Sequence, residues 1–159
     1  MGSIKSFISS CSYLGKLVYV STSTHAGFEW VHRTDTAIPE QSGIYLLVSE
    51  NEINIQKVGK AEGAKGLKQR FSSYTTKKNK REKLEKDKTD ALWHSIMTGQ
   101  LINQPLRVYI YPTSPVPVNI DIGETTYTLE SQWARGLEKT LSQIARKENH
   151  DLLLSGNLD

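Results

Sequence analysis

"GIYLLVSENEINIQKVGKAEGAKGLKQRFSSY", residues 43–74, is the stretch whose reading decides the fold. Gly43–Ser49 is β-branched and aromatic with no helical period, so it predicts a strand. Residues 50–54 form a polar turn, and residues 55–59 return as the partner strand of a hairpin. Residues 61–66 read as a loop. Leu67, Phe71 and Tyr74 then fall at i, i+4 and i+7, the spacing of one buried helix face. Tyr45, Lys57, Lys60, Arg70 and Tyr74 are thereby gathered around one hairpin and one helix start.

Outward from this stretch, residues 16–21 (KLVYVS) predict a first strand, residues 28–32 a short second one, and residues 34–42, with Pro39, a loop. From Lys77 to about Leu101 the chain reads as a basic helix with Leu84, Leu92 and Ile96 inward, ended by Pro105. Residues 106–111 (LRVYIY) alternate and predict a third main strand. Residues 113–124 read as a loop that could hold a strand over 116–122. Leu129, Trp133, Leu137, Leu141 and Ile144 form a helical stripe, with Thr128 as its cap. Strands and helices are mixed without strict βαβ alternation, which places the chain in the α+β class.

The 159 residues suit one domain with its own core, here taken as 1–159. No run approaches the roughly 18 apolar residues of a membrane span. The single cysteine, Cys11, excludes an internal disulfide and a cysteine-based zinc site. It suits a reducing, cytoplasmic setting, and Cys11 itself reads as a small packing residue. His25, His32, His94 and His150 show no zinc spacing. The net charge of +3 hides an uneven distribution: residues 60–88 hold eleven Lys or Arg against four Asp or Glu, leaving −4 for the rest. That segment suits a polyanion. With Glu82, Glu85 and Asp87 interspersed, it equally suits a solvated helix face.

Phosphodiester cleavage needs developing negative charge neutralised by Arg, Lys or a metal ion, and a water oriented and deprotonated. Arg70 and Tyr74 lie i, i+4 on one helix turn, directly after the Lys57–Lys60 strand end. The glycines at 59, 63 and 66 let a backbone or phosphate approach. Individually, each tyrosine also reads as a core aromatic with one wet end.

The segment resembles the GIY-YIG nuclease family. Gly43-Ile44-Tyr45 matches the family's first element, and Lys57-Val58-Gly59 stands where Tyr-Val-Gly would. "VGKA" followed by "LKQRFSSY" is similar to the nuclease segment of the UvrC-type incision protein of excision repair, and lysine at position 57 is similar to some GIY-YIG restriction endonucleases. The resemblance implies a small sandwich with a central, mostly antiparallel three-stranded sheet flanked by helices. To this the chain would add an N-terminal extension, 1–40, and a basic helical insertion, 77–104. It implies Tyr45 as the group that orients or deprotonates water, Arg70 and Lys57 as phosphate stabilisers, and Lys60 and Tyr74 as support. It implies one divalent ion, Mg²⁺ or Mn²⁺, on a helix glutamate. Glu138 is preferred to Glu130, because an acid in a first helical turn is explained by the helix dipole alone. Gly43 and Gly59 support the site, as does a late asparagine, Asn157 in preference to Asn149. Lys68, Lys77, Lys78, Lys80 and Arg81 are the expected contacts to double-stranded DNA. A homodimer is compatible with the pattern. The alternative is a catalytically weak or inactive nucleic-acid-binding module of the same fold.

Overall fold

The structure is a computed structural model that describes residues 3–50, 54–79, 104–131 and 133–152. It is α+β, built on six antiparallel strands in the order β4-β3-β6-β1-β2-β5. β1 spans Ser12–Ser21, β2 His25–Val31, β3 Gly43–Ser49, β4 Ile55–Ala61, β5 Lys78–Asn79 and β6 Leu106–Pro112. β7 (Val116–Ile122) and β8 (Thr125–Ser131) form a separate two-stranded sheet.

β3 is buried at every position but the last because both faces of the sheet are covered. That is why its sequence runs apolar without alternation. Tyr45 and Leu47 join Leu17, Phe28, Val108 and Ile110 under α2 (Gly66–Thr75), which contributes Leu67, Phe71 and Tyr74. On the opposite face, Ile44, Leu46 and Val48 pack with Val58 under α1 (Ser3–Ser9) and α3 (Ala134–Lys147). α1 supplies the fully buried Ile4 and sets Phe7 against Tyr111, with ring centroids 5.1 Å apart.

The expected three-stranded sheet is therefore too small. β4, β3 and β6 are its core, but β6 pairs with β1 through its other edge, so residues 12–31 continue the sheet instead of decorating it. β1 joins through a bulge at Gly15, whose φ of +124° and approach to the backbone of His32 exclude a side chain. The basic segment also begins differently from expectation. Lys78 and Asn79 pair with Ala26 and His25 as a short strand, not a helix. Gly27 permits this, since a Cβ there would lie 3.1 Å from the backbone of Thr76 and Lys77. The remainder of the expected basic helix, with Lys80 and Arg81, lies outside the described residues.

The last helix starts later than its apolar stripe predicts. Thr128 and Leu129 belong to β8, and Thr128 Oγ1 donates to Asn119 Oδ1 across the hairpin at 3.0 Å instead of capping a helix. The run Thr125–Thr128, β-branched and aromatic after the Gly123 turn, favours a strand over a helix. α3 begins at Ala134 and presents Ala134, Leu141 and Ala145 to the core. Its C-terminus passes through Asn149 in the left-handed region, φ 63°. The chain then returns along β4, where His150 Nδ1 accepts from the Ile55 N–H at 3.0 Å and the Leu152 N–H donates to the Ile55 carbonyl at 3.1 Å. No helix among the described residues is long and apolar enough to cross a membrane.

Candidate active site

Strand register explains why a glycine follows Lys57-Val58. Tyr45 lies opposite Gly59 in the β3–β4 pair, and its ring crosses the glycine so closely that a Cβ on Gly59 would sit 2.1 Å from Tyr45 Cζ. The ring is held edge-on to Phe71, with centroids 5.4 Å apart. Its hydroxyl meets that of Tyr74 at 2.5 Å. Tyr45 is 2% exposed and Tyr74 6%. Two phenols thus share a hydrogen bond within the α2-side core.

Of the expected approach points for a phosphate, two glycines are occupied by protein. Gly59 lies under Tyr45. Gly66 opens α2 with φ +30°, where a Cβ would fall 2.0 Å from the Gln41 carbonyl oxygen. Gly63, φ +99°, has nothing within 4 Å and is the open one. Gly43 is likewise structural, its missing Cβ replaced by Leu67 Cδ1 at 2.7 Å and the Tyr111 carbonyl at 2.8 Å.

Arg70 is exposed on α2, and its Nη2 reaches toward the Lys60 carbonyl at 3.4 Å. It lines a cleft of about 220 Å³ with Ala61, Glu62, Gly66, Gln69 and Ser73. The sequence reading missed Glu62, Gln69 and Ser73. Gln69 and Ser73 flank Arg70 at −1 and +3, the helical spacing that could have shown them. Nothing local announces Glu62, whose carboxylate pairs with Lys60 Nζ at 3.0 Å.

β4 is the outer strand of the sheet, and its pleat sorts the lysines. Lys57 shares a face with Gly59 and Ala61, toward α2, while Lys60 shares one with Val58, toward α3. Glu138 comes to the same strand from α3. Its carboxyl is held above the usual range, first by burial. The Lys60 and Lys57 ammonium groups oppose that shift, Glu62 adds to it, and Arg135 opposes it. The edge strand is thus wrapped by Tyr45, Tyr74 and Arg70 from one face and by Glu138 from the other.

Among the described residues, no three His, Cys, Asp or Glu cluster as a metal site. The donor chemistry still suits a lone Mg²⁺ or Mn²⁺ ligand. Glu138 is a half-buried carboxylate whose charge a cation would stabilise, and Mg²⁺ keeps most of its waters. Glu130 lies on β8 opposite Pro117, not in a first helical turn. Asn149 occupies the left-handed position after α3, a role that asparagine fills for backbone reasons. Asn157 lies outside the described residues. Of the expected DNA contacts, Lys68 pairs with Glu40 at 3.4 Å, Lys77 pairs with Glu29 at 2.7 Å, and Lys78 is half-buried in β5.

Compared with protein-family models, with curated proteins and with solved structures, the chain matches none.

Proposed function

We propose that this chain is a Mg²⁺- or Mn²⁺-dependent endonuclease that hydrolyses DNA, most directly duplex DNA, through a GIY-YIG-type site, with β4, β3 and β6 as the sandwich core under α2 and α3. The observation that carries the reading is the linked phenol pair. Tyr45 and Tyr74 meet at 2.5 Å one helical turn from Arg70, beside a strand whose Lys60 lies on the Glu138 side and whose Lys57 lies on the tyrosine side. Arg70 and Lys57 neutralise the phosphate, with Lys60 in support, as water attacks phosphorus and the P–O bond to the leaving nucleotide breaks. Lys57 adds a point charge where a phenol stands elsewhere in the family. Tyr45 orients the water or, as phenolate, takes its proton, the proton ends on the leaving oxygen, and Tyr74 holds the Tyr45 oxygen in place. Glu138 holds the divalent ion, which supplies Lewis-acid stabilisation when bound. The setting that fits this chemistry is the cytoplasm, with its DNA.

The test is conversion of supercoiled plasmid to nicked or linear forms, with and without Mg²⁺ or Mn²⁺. Metal-dependent conversion is expected, with Arg70→Ala slower by about 10²- to 10³-fold, the usual size for one lost charge-stabilising donor. A folded Arg70→Ala that cuts at the parent rate removes Arg70 from the site. One observation favours a second reading, a DNA-binding module without catalysis: Tyr45 is 2% exposed, leaving little room for a reacting water. Salt-dependent DNA binding with no nicking under either metal would establish that reading in place of the first.

A further inference from the structure

Every large apolar side chain that is exposed among the described residues lies on the β7–β8 ribbon or just beyond it, at Trp133. Strand alternation gathers six of them on one face: Val116, Val118, Ile120, Ile122, Tyr127 and Leu129. Val118 stands opposite Leu129, and Ile120 opposite Tyr127. The other face is polar and internally bonded, Thr126 to Asp121 at 2.7 Å and Thr128 to Asn119 at 3.0 Å. Gly123, at φ +65°, makes the tight turn. β7 is exposed along its whole length, and the ribbon forms its own sheet. A two-stranded ribbon alone in water is marginal and needs a further layer on its apolar face.

The geometry points to a second copy of this chain as that layer, with two ribbons packed apolar face to apolar face about a two-fold axis. Three features choose this occupant. First, the six residues keep 40–65% of their surface, and a two-fold contact covers that patch on both copies at once, which counts twice toward the roughly 1,000 Å² that a specific interface has to clear. Second, the apolar face carries no charge, so two copies meet without like-charge repulsion, and a two-fold contact needs only a self-complementary patch. Third, residues 116–131 hold three acidic residues and no Lys or Arg, so the ribbon repels a phosphate backbone and is unfit to enter a DNA groove. The assignment goes beyond the nuclease reading and stands without it.

Light scattering or sedimentation at micromolar protein tests it. The parent is expected to have twice the mass of one chain, and Val118→Glu and Tyr127→Glu to be monomers with unchanged far-ultraviolet dichroism. Crosslinking gives a measurement that does not depend on a tolerated charge. The Cys11 thiol is half-buried, its pKa is pushed up to about 12, and its Sγ donates to the Phe7 carbonyl at 3.4 Å. An introduced cysteine is therefore the reactive one. Val118→Cys should give covalent dimers with a short bismaleimide, and Asn119→Cys, on the opposite face, should not. A parent that is monomeric throughout, a dimer that survives Val118→Glu, or equal crosslinking at 118 and 119 overturns the assignment. So does a loss of DNA binding in Val118→Glu with no change of mass, which would give the ribbon to DNA instead.

Discussion

Glu138 carries the clearest residue-level signature. Burial raises its carboxyl above the ordinary range even though Lys60 and Lys57 pull it down. A raised folded value means that the native chain binds more protons than the unfolded one as pH climbs from the ordinary carboxylate value toward the raised one. Stability therefore falls with rising pH across that window and stays lowered above it. Glu138→Gln keeps the shape and removes the charge. It should melt higher than the parent at neutral pH, match it in acid, and lose cleavage while keeping DNA binding. An unchanged difference in melting temperature between acidic and neutral pH would show that Glu138 is not the group under strain. Added Mg²⁺ should raise the melting temperature of the parent and leave Glu138→Gln where it was. Lys57 offers a second comparison. Lys57→Met keeps length and removes charge, so it should abolish nearly all cleavage, whereas Lys57→Tyr should retain at most part. Equal cutting by Lys57→Met and the parent would make the position structural.

At the scale of elements, the hairpin and α2 were legible because their signals are local. The apolar run of β3 and the i, i+4, i+7 spacing of Leu67, Phe71 and Tyr74 need no partner to be read. α1 has no legible local signal, because its seven residues hold only one apolar cluster, Ile4, Phe7 and Ile8, within a polar stretch. The boundary between β8 and α3 was misplaced because Leu129 happens to extend the helical stripe, while the Gly123 turn and its β-branched partner run decide otherwise. The full width of the sheet is not legible locally, because the β1–β6 pairing joins residues about ninety positions apart. No local pattern shows that β6 uses both edges. The contact that ties hairpin to helix can be tested directly. Gly59→Ala would place a methyl against the Tyr45 ring, which Phe71 and Tyr74 hold from the other side. It should cost about 1–3 kcal/mol, the usual range for overpacking, and the cost should vanish in a Tyr45→Ala background. A cost that persists in that background would mean that the ring does not lie over the glycine.

Across the whole molecule, the β4 lysines of the candidate site and the start of the basic segment stand at opposite ends of the strand order, with α2 between them in the chain. Lys57 and Lys60 lie on β4 at one end of the strand order, and Lys78 lies on β5 at the other. Lys77 and Lys78, beyond the end of α2, are expected to act on affinity and not on chemistry. Replacing Lys77, Lys78, Lys80 and Arg81 with glutamine should weaken duplex binding and flatten its salt dependence, each lost phosphate contact changing the slope of log K against log salt by about 0.9. Saturating protein should then restore the cleavage rate. The ion pairs refine the expectation. Lys77 is paired with Glu29 at 2.7 Å and Lys68 with Glu40 at 3.4 Å, so a carboxylate partly offsets each lysine's attraction for a phosphate. Glu29→Gln and Glu40→Gln should therefore tighten binding and steepen the slope, the opposite of the lysine changes. If the glutamine variant keeps the parent's slope, the basic face is only solvated, and the phosphate contacts must come from around β4 alone.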